Sequence, residues 1–459
     1  MKLSKGMMVA YCLPEFARGI FTTMIANYLV YFYQPSVESG IPTLVSQSVV
    51  FFGIFTVIGL IKAIGQLIDA ITDPLVASLS DKWKGKKGRR IPFMKWFAIP
   101  YGLCALLIFW APAGEPGLLN NIWIAAFIWG YFIFYTLYVI PYIALLPEMI
   151  DDEKLRVNTY TLSSFMFVTG SAVGYVTPVF VSLWKNAGFA ALEAWRYTFV
   201  CYTVVGLLLL LIPAFLIDEK KYVHSVKPSA PFFASLKHAF SNRHFCWLTV
   251  AALLENIAMS FFQTCIMYYV VTLLGLSEAA STPILAISIV GSLIMYPFIN
   301  KHVKKKGKKG TVIAACVVFT IAELIIFIGA DWPFPAMAKA IALALVFSFP
   351  FAALNILPNA MMSDVIQYDT IKTGVNQEGI FSAARSFVTK VGGSFSIMLV
   401  PTIIKVGAAA GENVGRYGLK LTGLIGGIIC IGAVIGFSFY QEKKVLGTIA
   451  EYRAAKGEK

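Results

Sequence analysis

The sequence predicts an all-α integral membrane protein, with twelve transmembrane helices in two pseudo-symmetric six-helix bundles and both termini in the cytoplasm. Composition is the first observation, because 58% of the 459 residues are hydrophobic and only 14% are charged, whereas roughly a quarter of a soluble domain is charged. The mean hydropathy of +0.73 is the second. The third is the distribution of lysine and arginine between the apolar runs. A chain of this composition requires lipid as its solvent over nearly all of its length.

Twelve apolar runs are the candidate membrane spans. About 20–25 helical residues cross the ~30 Å of hydrocarbon, and a helix is the only open backbone structure that satisfies its own hydrogen bonds in lipid. The first run carries Glu15 and Arg18 and is too long for a cleavable signal, so we expect it to remain as the first helix. No stretch is left for a separate catalytic or nucleic-acid-binding domain. The runs are about 7–33, 45–79, 93–112, 122–149, 159–183, 197–217, 246–275, 281–300, 311–330, 336–362, 379–405 and 419–440.

Positive charge is concentrated on one side of the predicted membrane. With the N-terminus inside, the gaps on that side hold 27 lysines and arginines, and the opposite gaps hold Lys185, Arg196 and Arg416. Lysine and arginine retain loops in the cytoplasm, so both termini are expected there. The same distribution explains the net charge of +14 as an orientation signal, and it argues against nucleic-acid binding.

The two halves of the chain repeat a charge pattern. A basic loop follows the second run of each half, at 81–90 and at 301–310, and two similar six-helix halves are the layout of a rocking secondary transporter. The connection between the halves contains Phe232, Phe233 and Leu236, and it is either a short helix on the inner leaflet or a solvated linker. The predicted boundaries are 1–217 for the N-terminal bundle, 218–245 for the cytoplasmic linker, 246–441 for the C-terminal bundle and 442–459 for a cytoplasmic tail.

The second run carries polar residues that share one helical face. Lys62, Gln66, Asp69 and Asp73 are spaced four, three and four residues apart, which aligns them along one stripe of a helix. A charge at membrane depth costs about 2.5–3.5 kcal/mol on insertion scales, and two carboxylates one turn apart repel each other. A bound cation, a basic partner or a proton must therefore compensate them. The alternatives are interhelical salt bridges for both carboxylates and, for Asp73 alone, a position near the inner surface.

Polar residues of the first and fourth runs are candidates for binding a solute. Glu15 and Arg18 lie one turn apart, so they either pair with each other or both contact substrate in a central cavity. The fourth run presents a stripe of tyrosines, whose flat apolar faces and hydroxyls suit a sugar or another amphipathic solute. Ordinary helix packing is the alternative for each of them. The tyrosines are Tyr131, Tyr135, Tyr138 and Tyr142.

The second half contributes fewer candidates. Asn256 and Gln263 follow Glu255 along the seventh run, and we expect this polar stripe to line the C-terminal half of a solute cavity. Lys390 on the eleventh run is a candidate partner for the acidic pair or for substrate, whereas Glu323 is isolated and receives no role. The seven cysteines form no CxxC pair, so free thiols are expected, with no disulfide framework and no cofactor.

Several segments carry a recognisable pattern. They are Asp69-Ala-Ile-Thr-Asp73-Pro74 with Ser80-Asp81 and the basic loop to Pro92, Pro141-Tyr-x-Ala-Leu-x-Pro147-Glu148, Met361-Met-x-Asp364-Val-x-x-Tyr368-Asp369 with Gly374-x-x-x-Glu378-Gly379, and Ala383 through Lys390-Val-Gly392. Together, and in this order, they resemble the motifs of the glycoside–pentoside–hexuronide:cation symporters of the melibiose-permease type. These symporters belong to the major facilitator superfamily, so the resemblance implies the major facilitator fold.

The resemblance also implies where the coupling cation binds. Asp69 and Asp73 correspond to the carboxylates that hold the cation, which would be Na⁺, with H⁺ or Li⁺ as alternatives. They are therefore the expected metal-binding residues. Thr136 corresponds to a further oxygen ligand, and Lys390 corresponds to a lysine near the cation.

The family's sugar-binding residues are only partly present. Glu15 and Tyr135 match positions that lie against the sugar in the family. Val139 replaces a second sugar-binding aspartate, and no arginine occurs across 158–194, where the family has one. Arg18 is present on the first run instead. An arginine suits an anionic substrate, such as a uronide or a sulfonated sugar, and this specificity is a hypothesis.

The predicted function is cation-coupled symport of a sugar or glycoside by alternating access, carried out in the cell membrane by a monomer. A lysolipid or lipid transporter of the same superfamily branch is the first alternative, because it shares the paired aspartates. A passive channel is the second. An enzyme is not expected, since the chain contains no GxGxxG on a strand, no GxxxxGKS/T, no GxSxG and no HExxH.

Overall fold

The computed structural model is predominantly helical in the residues that it describes, which are 5–46, 49–51, 55–83, 85, 88–150, 152–222, 239–374 and 378–455. The greater part of the predicted linker, 223–238, lies outside these residues. The helices are α1 Lys5–Thr23, α2 Leu29–Tyr33, α3 Val57–Lys82, α4 Ile91–Leu107, α5 Leu118–Met149, α6 Glu153–Tyr175, α7 Thr177–Asn186, α8 Ala191–Leu216, α9 Glu219–Tyr222, α10 Arg243–Tyr268, α11 Ser281–Ile328, α12 Ala336–Thr373, α13 Glu378–Ile403, α14 Arg416–Phe439 and α15 Glu442–Ala455.

Shorter elements complete the described backbone. Wider π-helical turns, Met24–Tyr28 and Tyr269–Leu273, extend α1 and α10. Helix α11 breaks at Gly307, whose φ of 79° and ψ of 172° are not helical, so it contains two of the predicted spans. The remaining elements are 3₁₀ turns at Val37–Ser39, Glu278–Ala280 and Gly329–Asp331, and the strands β1 Val49–Phe51 and β2 Phe55–Thr56.

The described part of the chain contains eight helical stretches that are long and apolar enough to cross a membrane, and α4 is a shorter apolar helix of 17 residues. Large apolar side chains such as Leu208 and Phe215 on α8 and Ile428 on α14 are exposed. Outward-facing side chains of this kind suit a lipid environment. The number of twelve spans and the cytoplasmic termini stay predictions.

The second apolar run does not form one helix over 45–79. Its first part contains the strands β1 and β2, which pair antiparallel with Val49 opposite Thr56. Helix α3 begins only at Val57, where the Thr56 hydroxyl accepts a hydrogen bond of 3.3 Å from the Gly59 amide. A threonine at this position satisfies an amide that has no partner within the helix, which fixes the start of α3 within an otherwise continuous apolar run.

The chain packs as two compact units, each with its own core. Two short segments from the second half of the sequence belong to the first unit. One is held by the carboxylate of Glu278, which accepts hydrogen bonds from Tyr31 (2.9 Å) and Lys185 (2.7 Å), and the other by Asn413, which donates to Thr43 (2.8 Å). The first unit consists of Met1–Ser229, Glu278–Thr282 and Ala409–Val414, and the second of Ala230–Ser277, Pro283–Ala408 and Gly415–Lys459.

Each unit repeats one capping arrangement at its basic loop. In the first, Glu219 accepts hydrogen bonds from the backbone amides of Arg89 (2.6 Å) and Arg90 (2.8 Å) at the start of α4. In the second, Glu442 accepts them from the amides of Lys308 (2.7 Å) and Lys309 (3.2 Å). A carboxylate at a helix start satisfies free amides and complements the helix dipole. The two loops, whose basic residues repeat in the sequence, therefore share this capping contact as well.

The first unit depends on a close crossing of α1 and α6. A Cβ atom added to Gly170 would lie 2.0 Å from the Phe16 carbonyl oxygen, and one added to Gly19 would lie 2.3 Å from the Phe167 carbonyl oxygen. Small residues allow helix backbones to approach each other in this way. Any larger side chain at these two positions must separate the helices.

Replacing Gly170 by alanine is therefore expected to destabilise the protein by about 1–3 kcal/mol, the usual cost of overpacking a filled core. The matched control is Gly427→Ala on α14, where the added Cβ would make only ordinary contacts at 3.7 Å. Thermal unfolding of the purified protein in detergent measures both. Equal melting temperatures for the two variants would contradict the close crossing.

Candidate functional site

An acidic cluster lies between α3 and α5 in the first unit. Asp69 and Asp73 occupy adjacent turns of α3, and the Thr136 hydroxyl oxygen on α5 lies 2.8 Å from Asp69 Oδ1 and 3.4 Å from Asp73 Oδ1. The Thr72 hydroxyl lies 3.2 Å from the Thr136 hydroxyl. Asp69 is 5% exposed, and Asp73 is half-buried. The helical spacing thus brings both carboxylates to one hydroxyl of a neighbouring helix.

The chemistry of this cluster suits a small hard cation. Carboxylate and hydroxyl oxygens are the ligands that such cations prefer. The Thr136 hydroxyl carries a single proton, so it donates to only one of the two carboxylates at a time. Among the described residues, no group of three or more His, Cys, Asp or Glu side chains is arranged to hold a metal ion. The cluster therefore offers two carboxylates supplemented by neutral oxygens.

Two basic residues, Lys62 and Lys390, are candidate partners of the acidic pair. Lys62, on the same stripe of α3, is 3% exposed, and its Nζ lies 3.4 Å from the Ala26 carbonyl oxygen in the π-helical turn of the first span. A π-helical turn interrupts the regular hydrogen bonds of a helix, and the hydrogen bond from Lys62 joins α3 to this turn. Lys390 lies half-buried on α13 in the second unit, and its contribution to a cation site stays a prediction.

A second cluster joins α1 to α5 in the same unit. Arg18 forms an ion pair with Glu15 (Nη1 to Oε1, 2.6 Å) and donates a hydrogen bond of 3.2 Å from Nη2 to the Tyr135 hydroxyl. Its guanidinium also lies 5.8 Å from the ring centres of Tyr135 and Phe167. The Nε of Arg18 is buried and has no hydrogen-bond partner among the described residues. Glu15 and Arg18 therefore pair with each other within α1, which was one of the two alternatives that the sequence left open.

The other tyrosines of the α5 stripe are engaged in packing. Tyr138 donates a hydrogen bond of 2.7 Å to the Leu210 carbonyl, and Tyr142 and Tyr11 each donate to the other's backbone carbonyl at 2.9 Å. Tyr138 and Tyr142 are fully buried. Ordinary helix packing was the alternative that the sequence left open for these tyrosines. Sequence reasoning did not identify Tyr101 of α4, whose ring lies 5.3 to 6.2 Å from three rings of the stripe.

The second unit contains a polar cavity of about 440 Å³ between α10, α12 and α13. The predicted residues Asn256 and Gln263 both line it. Arg385 also lines it and donates a hydrogen bond of 2.7 Å to the side-chain oxygen of Asn359. Sequence reasoning missed Asn355 and Asn359, although two asparagines one turn apart in an apolar run are a signal that could have identified them.

Comparison with known proteins assigns the chain to a family. A family model described as MFS/sugar transport protein matches residues 10–443. The isoprimeverose transporter of Lactiplantibacillus pentosus is 22% identical over 390 residues, which are 83% of this chain and 76% of that protein. The lactose permease of Leuconostoc lactis is 24% identical over 422 residues, which are 86% of this chain and 62% of that protein. The crystal structure of a D-xylose–proton symporter matches 95% of this chain and 98% of its own with a TM-score of 0.66, at 14% identity.

The structural match shows that the fold is the all-helical fold of major facilitator transporters, and the family match covers most of the chain. The relatives are membrane transporters and not enzymes, and they support the multi-pass location in the cell membrane. The chain therefore belongs to the MFS/sugar transport family and is a transporter of the glycoside–pentoside–hexuronide symporter type.

Proposed function

We propose that the chain couples the inward movement of a cation to that of a sugar or glycoside by alternating access, through twelve spans with both termini in the cytoplasm. One observation carries the proposal: the two clusters of the first unit meet on consecutive residues of α5. Tyr135 accepts the hydrogen bond from Arg18, and Thr136 contacts Asp69. A cation that moves Thr136 must therefore also move Tyr135.

In the proposed mechanism the cation binds first to Asp69, Asp73 and Thr136. Two carboxylates on one helix face repel each other, and a cation between them removes that repulsion and draws α3 towards α5. Na⁺ is the proposed ion, with H⁺ or Li⁺ as alternatives, and Lys390 is proposed to lie near it. One monovalent cation reduces the net charge of the pair from −2 to −1, which lowers the cost of enclosing the pair away from water, and this is why the cation and solute would cross together.

The solute is proposed to bind beside Glu15, Arg18 and Tyr135. The Glu15–Arg18 salt bridge is neutral overall, but its remaining oxygens and N–H groups can still form hydrogen bonds with sugar hydroxyls. The Tyr135 ring offers a flat apolar face. Tyr138 and Tyr142 are proposed to support that face. Asn256 and Gln263 are proposed to bind the solute from the second unit. The positive charge of Arg18 would suit an anionic substrate, such as a uronide or another acidic glycoside.

Replacing Arg18 by glutamine is expected to abolish uptake of the preferred substrate and leave cation binding largely intact, because the side-chain hydrogen bonds of Arg18 run to Glu15 and Tyr135. Uptake into proteoliposomes measures the first effect, and cation binding to the purified protein measures the second. Arg18→Lys, which retains the charge, is the matched control. Normal transport by the glutamine variant would show that Arg18 is only a structural partner of Glu15.

Replacing Asp69 or Asp73 by asparagine is expected to eliminate uphill accumulation, because each change removes one of the two carboxylates that would bind the cation. Wild-type protein in proteoliposomes should accumulate a glycoside when a Na⁺ or H⁺ gradient is imposed, and the variants should only exchange it. Asp331→Asn, at an exposed site that pairs with Lys420, is the control. Gradient-driven accumulation by both single variants would assign the pair to structure alone.

Replacing Thr136 by valine keeps the shape of the side chain and removes its oxygen. A lost hydrogen bond or ligand to a charged group costs about 1.5–3 kcal/mol, so the cation concentration for half-maximal uptake is expected to rise at least roughly tenfold. Thr136→Ser restores the oxygen and should restore the affinity. An unchanged cation dependence in the valine variant would remove Thr136 from the proposed site.

A further inference from the structure

One carboxyl group of the second unit is buried without a partner, outside the polar cavity. Glu323 on α11 is 1% exposed, and its Oε1 is buried with no hydrogen-bond partner. Among the residues that the structure describes, Glu323 forms no ion pair within 4.0 Å. An ionised carboxylate without a partner is costly at membrane depth. The charge of this side chain must therefore be neutralised by something that binds to it.

Glycines of α14 form a slot that encloses the Glu323 side chain. A Cβ atom added to Gly426 would lie 2.9 Å from Glu323 Cδ, and 3.0 and 3.1 Å from its two carboxyl oxygens. One added to Gly423 would lie 2.5 Å from the Glu323 carbonyl oxygen. The carboxyl group itself therefore fills the space that the glycines leave between α11 and α14. A metal ion or a water molecule needs volume of its own beside the oxygens, whereas a proton needs none.

The polar neighbours of Glu323 do not supply the missing charge. Among the described residues, the titratable groups that face it are the thiols of Cys265 on α10 and Cys430 on α14. A thiol carries no positive charge, and that of Cys430 donates its hydrogen bond to the Cys316 carbonyl at 3.2 Å. The Thr320 hydroxyl, on the preceding turn of α11, donates to the same carbonyl at 3.0 Å. A proton on the carboxyl group itself is the remaining way to neutralise it.

We propose that Glu323 is a proton-binding site of the second unit, which holds its proton while α11 and α14 are packed and releases it only when they separate. The proton comes from water and forms an O–H bond with one carboxylate oxygen, which converts the carboxylate into a neutral acid. A neutral acid costs far less to bury than a carboxylate, so protonation and close packing favour each other. Any step of the transport cycle that opens this slot would therefore depend on pH. The site is separate from the proposed cation site, because Asp69 and Asp73 belong to the first unit.

The first experiment measures the thermal unfolding of the purified full chain in detergent at a series of pH values. The packed state holds a proton that the unfolded state releases, so this contribution to stability is complete at low pH and is lost as the pH rises. Relative to Glu323→Gln, the ratio of folded to unfolded wild-type protein should fall by up to about tenfold for each pH unit. Both proteins retain Cys265 and Cys430, so the difference reports on Glu323 alone.

The matched control is Glu148→Gln, because Glu148 is also a buried carboxylate but is paired with Arg90 at 2.7 Å and with Arg89 at 3.3 Å. Removing a charge that is paired leaves its partners buried without it, so this variant should melt several degrees below wild type at neutral pH. Glu323→Gln should melt at about the wild-type temperature under the same conditions. Glu323→Met, which is similar in length and apolar, tests the site if the glutamine amide does not fit the slot.

The second experiment observes the proton directly, by infrared spectroscopy of the wild type and of whichever Glu323 variant folds. The wild-type spectrum minus the variant spectrum, at neutral pH, should contain the carbonyl stretch of a protonated carboxyl group. Carboxylate bands in its place would overturn the proposal. It would also be overturned if wild type and both Glu323 variants unfolded with the same pH dependence, or if both variants melted as far below wild type as Glu148→Gln. None of these measurements requires transport, so their outcome is independent of the proposed symport.

Discussion

The repulsion between two carboxylates on one membrane-buried helix is the constraint on which the first unit depends. Asp69 and Asp73 lie on adjacent turns of α3 and share the Thr136 hydroxyl of α5. In a medium of low dielectric constant this repulsion is much stronger than in water. Whatever compensates it determines how closely α3 approaches α5. A cation, the proposed occupant, is well suited to that role, because its arrival and departure would change the spacing of two packed helices.

The consecutive positions of Tyr135 and Thr136 extend this constraint to the Glu15–Arg18 pair, which is the proposed solute site. Adjacent residues of a helix point in directions about 100° apart, so α5 presents one side chain to α1 and the other to α3. The Glu15–Arg18 pair on α1 contacts Tyr135, and the acidic pair on α3 contacts Thr136. A rigid helix between two sites is a physical connection by which binding at one site can change the energy of binding at the other.

The sequence predicts those parts of the site that lie along one helix, and it predicts less of what lies between helices. The stripe of Asp69 and Asp73 follows from helical spacing alone. The start of α3 was placed too early, because an apolar run cannot distinguish strand from helix where β1 and β2 pair. The reciprocal bonds of Tyr142 with Tyr11, and the contact of Arg385 with Asn359, join residues far apart in the chain, so no local pattern indicates them.

The two units arrange an acid and an arginine in opposite ways. In the first, Glu15 and Arg18 lie on one helix and are bonded at 2.6 Å, so their charges cancel without a ligand. In the second, Glu255 and Arg385 lie on different helices, and each is bonded to an amide. Separated charges lose their hydration without gaining an ion pair. A partner that offsets that cost must enter the space between α10 and α13, so its binding would stabilise one spacing of these helices over others.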